Sequence, residues 1–255
     1  MNVLVTGGTG TLGRHVLPRL VAAGCRVRVL TRTARPDADG VRHLTGDLVA
    51  GTGPDGALDG IDTVLHLAGG PKGDDVAARN LAAAMARAGG VRHVVMVSVI
   101  GADRMPLGWF RAKRDAELAI GGCGVPWTVL RAAQFHDLVL DVAGKVGRLP
   151  LLPAPGGLRF EPVDARDVAD RLVALTLGGA PAGLVPDLAG PRDYAFADLV
   201  RSALGRNRPA LPVPLAGKVG RAYRNQENLA GAGAMRGTRT WEAFLAERQK
   251  LAFSR

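Results

Sequence analysis

The feature that most constrains this chain is a glycine-spaced turn at residues 6–13, Thr6-Gly7-Gly8-Thr9-Gly10-Thr11-Leu12-Gly13. It lies between an apolar run, Val3 to Thr6, and a stretch in which Leu12, Val16, Leu20 and Ala23 fall at helical spacing. The spacing predicts a strand, a turn and a helix over 12–23. Each of the three spaced glycines meets a separate demand. Gly7 can take the positive φ of a tight turn. Gly10 lets the backbone come close to a pyrophosphate, and Gly13 lets helix and strand pack together. Phosphates would then meet the unpaired N–H groups at the positive end of the helix, around Thr9, Thr11 and Leu12. A strand, this turn and a helix in that order, opening a βαβ unit, point to dinucleotide binding rather than to a turn without a ligand.

The next 120 residues repeat the alternation. Strands are expected over 26–31, 41–44, 63–67, 93–99 and 127–130, with helices over 74–88 and 107–120. Strands separated by helices of this length pair in parallel through right-handed crossovers. Beyond Arg131 the pattern loosens. Gly and Pro in 144–162 predict loops and short hairpin strands. A helix is expected over 166–177, a strand over 184–188 and a helix over 196–204. The prolines of 205–217 predict a linker or lid connection, and helices follow over 222–230 and 240–253. The expected fold is α/β: one Rossmann-type, doubly wound parallel sheet over 1–255. A small C-terminal substrate lobe is expected from residues of about 145–165 and 180–255.

A chain of 255 residues with 47% hydrophobic content can bury such a core. No apolar run approaches the roughly 20 residues that span a bilayer. The chain opens on Val3-Leu4-Val5 with no basic n-region or cleavage site, which predicts a cytoplasmic protein. Cys25 and Cys123 are then expected to be reduced; they lack metal-site spacing, and no metal is expected. The net charge is +10, and 28 of the 33 basic residues are Arg. Residues 201–255 hold 11 basic side chains, from Arg201 to Arg255, against Glu227, Glu242 and Glu247. That charge draws anions. Aromatics make up only 4% of the chain and no recognition motif is present, which argues against nucleic acid. The expected partner is a small-molecule substrate, not a membrane; homodimerisation stays open.

The second expected strand ends in Leu30-Thr31-Arg32-Thr33-Ala34-Arg35. A site that prefers NAD places an acid here for the ribose 2′-hydroxyl, and this chain has none before Asp37. Arg32 instead offers a guanidinium, which binds a phosphate through two parallel charge-assisted bonds. The cofactor expected is NADPH rather than NADH. Asp47, before Leu48, either accepts from the adenine amino group or caps its loop. Ala68-Gly69-Gly70 follow the fourth strand, where small residues let a cofactor lie flat. Ser98 ends the fifth strand and either bonds substrate or nicotinamide or caps the strand. Gln134-Phe135-His136 follow the sixth, where a substrate pocket is expected, and His136 is a candidate proton donor near neutral pH. His43, His66 and His93 are expected to be structural. Trp109, Phe110, Phe135 and Phe160 line a pocket or pack in the core. Asp164 reads as a helix N-cap.

Taken together, Thr-Gly-Gly-Thr-Gly-x-Leu-Gly at 6–13, Gly46-Asp47-Leu48, Ser98, and Lys113 followed by Ala116-Glu117 form a recognisable set. Trp127-Thr128-Val129-Leu130-Arg131 and Pro162-Val163-Asp164-x-x-Asp167-Val168-Ala169 complete it. The set resembles the atypical short-chain dehydrogenase/reductases, in particular the NmrA-like NAD(P)H-binding branch, over about residues 1–205. The resemblance implies that Lys113 meets the nicotinamide ribose. With the residues read above, the expected function is an NADPH-dependent reductase of a small carbonyl, quinone or enone compound, with Lys113, Ser98 and His136 as candidate catalytic residues. One departure stands out. Tyr-dependent members use Tyr-x-x-x-Lys, the Tyr serving as general acid. The matching segment here is Phe110-Arg111-Ala112-Lys113, and neither Tyr194 nor Tyr223 has a Lys four residues on. The proton must come from water, His136 or the substrate. The alternative is a sensor that binds NAD(P)(H) and a protein partner without catalysis. A sugar-nucleotide epimerase or dehydratase is disfavoured by the missing Tyr.

Overall fold

Val3, Leu4 and Val5 have no exposed surface, as the central strand of a sheet covered on both faces requires. The computed structural model describes residues 1–205, 207 and 209–253. Along the chain run β1 (Asn2–Thr6), α1 (Gly13–Ala22), β2 (Arg26–Thr31), β3 (Val41–Thr45), α2 (Pro54–Ala57), β4 (Thr63–His66) and α3 (Asp74–Ala88). Then come β5 (His93–Val99), α4 (Gly108–Gly121), β6 (Trp127–Ala132), α5 (His136–Val146), β7 (Leu152–Pro155), β8 (Arg159–Phe160) and α6 (Ala165–Leu177). Next are β9 (Gly183–Leu184), β10 (Leu188–Ala189), β11 (Tyr194–Ala195), α7 (Phe196–Leu204) and β12 (Ala210–Val213). The last are α8 (Gly217–Arg224), β13 (Met235–Arg236) and α9 (Trp241–Phe253). Arg206, Arg208 and Arg255 of the basic tail lie outside the described residues. Among the described residues no helix is long and apolar enough to cross a membrane. The residues form two compact units.

The first unit comprises Met1–Ser98, Gly108–Arg131 and Ala169–Val185. Its strands lie in the order β3-β2-β1-β4-β5-β6, with β9 beside β6. β1 is parallel to β2 on one side and to β4 on the other. The chain therefore grows outward from β1 to β3, then returns to continue from the opposite edge of β1. That reversal is the switch point at which ligands of doubly wound sheets bind. The pleat sends Leu4 to one face and Val3 and Val5 to the other. Leu4 joins Val64, Val94 and Met96 against Ala77, Leu81 and Met85 of α3 and Ala116 and Ile120 of α4. The alanines of α3 let the helix sit close to the sheet. This is the doubly wound α/β architecture that the strand–helix alternation predicts.

The second unit comprises Val99–Leu107, Ala132–Val168 and Pro186–Arg255. Its pairings are short: β7 with β12 in parallel, β8 with β11 antiparallel, and β13 alongside β10. Val139, Leu199, Trp241 and Phe244 form one apolar cluster; Ala143, Leu152 and Val200 form another. Several expectations for this stretch need correction. The strand over 184–188 is split into β9 and β10, because Pro186 brings no N–H to a ladder. β7 and β8 do not form a hairpin together; each takes a partner more than thirty residues away. The 205–217 stretch contains β12, whose Pro212 is tolerated in a two-stranded pair. The helix expected over 222–230 lies earlier, and Gln226, at φ 59°, cannot continue it. α5 is unanticipated: its one strongly apolar face is brief, and the Gly/Pro-rich stretch that follows masks it.

Candidate cofactor site

The site is built from the first unit. Gly7 has φ 70°, and a Cβ there would fall 2.6 Å from the amide nitrogen of Ala68. A Cβ on Gly13 would fall 2.1 Å from the carbonyl oxygen of Gly8. Only glycine fits either place, and the absent side chains let the turn pack against the loop after β4 and α1 against Gly8. Gly10 donates its N–H to Gly7 at 3.0 Å, closing the turn. Thr9 and Gly10 are exposed, Thr11 is half-buried, and Leu12 is buried beneath them. No side chain caps α1, so its positive end is left for a ligand. At the switch point Thr6 Oγ1 lies 2.7 Å from His66 Nδ1 and accepts from the Ala68 N–H at 3.3 Å, tying β1 to β4.

Arg32 lies just past β2. It is exposed, and nothing among the described residues pairs with it. Asp37, the first acid after β2, is taken up by the His43 N–H at 2.8 Å. Asp47 Oδ1 accepts from the Val49 and Ala50 N–H groups at 2.8 and 3.3 Å, which is the loop-cap geometry. Leu48 packs into the core, and its carbonyl accepts from Asn80 at 2.7 Å.

The loop after β4 gathers Lys113, which the sequence picked out, with Asp74 and Trp109, whose places there it did not show. Lys113, on α4, lies with Nζ 2.8 Å from Asp74 Oδ2, and Asp74 Oδ1 accepts the Gly70 N–H at 2.7 Å. Burial, and then the charge of Lys113, push the His66 pKa down to about 3, so its imidazole is neutral. The residue four before Lys113 is Trp109, not Phe110, which corrects the alignment of the Tyr-x-x-x-Lys position. Trp109 Nε1 donates to the Gly70 carbonyl at 3.1 Å, and Phe110 is buried with its ring edge-on to Trp109. Ser98 is buried near Glu117, and its hydroxyl favours the charged form of that carboxylate. Arg131 grips Glu117 through two bonds of 2.8 and 2.7 Å. Burial, the largest single influence, would raise the Glu117 pKa, but Arg131, Ser98 and Arg114 together outweigh it and lower it, holding the carboxylate charged. That buried fork ties α4 to β6 and so fixes the helix that carries Lys113.

His136 lies in the second unit and has no exposed surface. Its Nε2 is 3.1 Å from the Pro162 carbonyl, and its ring packs on Trp241 and Phe244. That placement does not match a side chain facing an open pocket. Asp164 accepts the Arg166 N–H at 2.8 Å, the expected cap. Tyr194 gives its hydroxyl to Glu242. Phe160 sits among Phe196 and Tyr223, in an aromatic cluster.

A family profile described as NAD(P)H-binding matches residues 7–176. The chain belongs to this NAD(P)H-binding family of atypical short-chain dehydrogenase/reductases. Family relatives include the (4-alkanoyl-5-oxo-2,5-dihydrofuran-3-yl)methyl phosphate reductase of Streptomyces griseus, 35% identical over 197 residues. That match covers 74% of this chain and 68% of the relative. An NAD(P)H azoreductase of Xenophilus azovorans is 30% identical, with 80% and 74% covered. Among solved structures, an NADPH-dependent quinone oxidoreductase of Escherichia coli in complex with NADPH superposes with a TM-score of 0.78. It is 18% identical, covering 97% of this chain and 99% of that one, and so shares the fold. The strand–turn–helix order of the glycine turn in this family member fits a dinucleotide.

Proposed function

We propose that the chain is an NADPH-dependent reductase of a small quinone, enone or carbonyl compound. The observation that carries the choice of cofactor is Arg32, a cation without a partner just past β2, where an acid would favour NADH. Gly7, Gly10 and Gly13, with Thr9, Thr11 and Leu12, would hold the pyrophosphate, and Arg32 the 2′-phosphate. Ala68 and Gly69 would floor the nicotinamide end, and Lys113 would meet its ribose. Asp47 remains a candidate for the adenine amino group through its second oxygen. When bound, NADPH supplies a hydride. The acceptor class follows from what stands before Lys113. An indole gives up no proton readily, so the chain lacks a Tyr acid at that position. A quinone or enone that gains a hydride becomes a phenolate or enolate. A phenol has a pKa of about 10, so its anion can draw a proton from water. A simple ketone would become an alkoxide, a far stronger base that needs an acid at hand. The relatives' printed substrates, a butenolide, an azo compound and a quinone, agree with that preference. His136 has no place in this reading. Substrate recognition is assigned to residues of about 145–165 and 180–255.

Calorimetric titration with NADPH and NADH, followed by NADPH oxidation against quinones, enones and simple ketones, tests this. NADPH should bind more tightly, and quinones and enones should turn over ahead of ketones. Tighter NADH binding would remove Arg32 from the argument. The second reading, a cofactor sensor acting through a protein partner, is favoured by Trp109 at the proton-donor position; tight NADPH binding with no turnover would select it.

A further inference from the structure

Lys113 and Asp74 are each unfinished. The side chains are 10% and 6% exposed, and the ammonium lies at ion-pair distance from Asp74 Oδ2, 2.8 Å. Asp74 Oδ2 is buried with no hydrogen bond, and among the described residues the Lys113 ammonium makes none either. An ammonium has three N–H donors and a carboxylate oxygen accepts two. Buried groups of this kind normally have partners, and each one missing costs about 1–3 kcal/mol. The ion pair is close, and it leaves ammonium donors and acceptor capacity on Oδ2 to spare.

The surroundings supply nothing to spend it on. Asp74 Oδ1 is used by the Gly70 N–H. His66, whose imidazole is neutral, has its Nδ1 against Thr6. Gly69 is exposed, and a Cβ on it would fall 2.7 Å from the Lys113 Nζ, so the approach to the ammonium is kept clear by a missing side chain. A donor that faces the clear space over Gly69, beside a buried acceptor without a hydrogen bond, matches a group that both donates and accepts, which is a hydroxyl.

We propose that Asp74 is a ligand-binding residue and that Asp74 and Lys113 together bind the vicinal diol of the nicotinamide ribose. Lys113 donates to the hydroxyl oxygens, and Asp74 Oδ2 accepts a hydroxyl proton. This rests on the reading that NADPH is the cofactor and that Lys113 meets its ribose. The carboxylate also fixes where the ammonium stands, which a lone lysine on a long stem would not achieve.

The test compares NADPH with adenosine 2′,5′-bisphosphate, which keeps the 2′-phosphate and lacks the second ribose. Asp74→Asn should weaken NADPH binding by about tenfold, the loss of one charge-assisted hydrogen bond, and leave the bisphosphate affinity unchanged. Equal weakening of both ligands would mean that Asp74 only supports the fold and would overturn the proposal. Unchanged NADPH affinity would overturn it as well. Should Asp74→Asn not fold, Gly69→Ala crowds the pair, its new Cβ falling 2.7 Å from Lys113 Nζ and 3.6 Å from Asp74 Oδ2, and should show the same selectivity, by about threefold. If that variant weakens neither ligand, or both, the proposal fails by this route too. An unaltered protein that binds neither ligand would sink the cofactor reading itself, which distinguishes the two failures.

Discussion

The chain ends β2 and β4 with cations in opposite circumstances. Arg32, past β2, is exposed and without a partner among the described residues. Lys113, brought to the loop after β4 by α4, is buried against a carboxylate. The first keeps its charge unbalanced, so it can attract a phosphate from solution and discriminate by charge. The second has its charge already balanced, so it can offer direction but little attraction. The two tasks of a dinucleotide site, recruiting one end and orienting the other, are thus divided between an open cation and a closed one.

The severest way to break the comparison removes what both ends depend on, the turn between them. In Gly13→Ala the new methyl would overlap the Gly8 carbonyl, against which a Cβ stands at 2.1 Å. Backbone cannot yield there as a side-chain tip can. NADPH binding should be abolished, with a stability loss of about 3 kcal/mol or more in urea titration. Retained affinity would show that the turn is not the cradle.

A smaller effect sharpens the contrast itself. Arg32→Ala should weaken NADPH by about thirtyfold while leaving NADH within a factor of two, as expected for one charged hydrogen-bonding partner. Raising the salt concentration from about 0.05 to 0.5 M should weaken NADPH binding in the unaltered protein, and less so in Arg32→Ala. Lys113→Met should keep the salt dependence of the unaltered protein. If Lys113→Met flattened it instead, the closed cation would be recruiting charge after all.

The smallest effect concerns the neutral imidazole beside Lys113. His66 titrates in the fold at about 3, below its ordinary 6.5. The unfolded chain therefore takes up a proton that the fold refuses, and stability falls as pH drops below about 6.5. Each such group contributes roughly 1.4 kcal/mol per pH unit. Burial lowers the pKa of His93 as well, with the same sign. His66→Gln should reduce the slope of stability between about pH 6.5 and 5 by roughly 1.4 kcal/mol per unit, measured by urea titration. An unchanged slope would mean that His66 is already charged in the fold.

Legibility in the sequence followed the range of the interactions involved. β2, α3, β5 and α7 match their expected limits, because apolar periodicity is local and each element buries a defined face. The cradle of Gly7 and Gly13 was legible because strand, turn and helix are contiguous. Asp74 was not, since its partner lies 39 residues on and a carboxylate opening a helix reads as an ordinary first-turn acid. A spacing count alone would have placed Trp109 before Lys113. The short strands of the second unit escaped because two-residue pairings have no period to detect. His136 followed a strand, as a pocket residue would, but α5 turns its ring inward onto Trp241 and Phe244.

The bond from Trp109 Nε1 to the Gly70 carbonyl has an optical consequence. It pins an indole to the loop that carries Gly69 and Gly70, four residues before Lys113. Reduced nicotinamide absorbs where indoles emit, so a dihydronicotinamide held at this loop would quench Trp109 by energy transfer. The protein thus carries its own spectroscopic ruler at the end of the site where chemistry would occur, and Trp109→Phe supplies the blank.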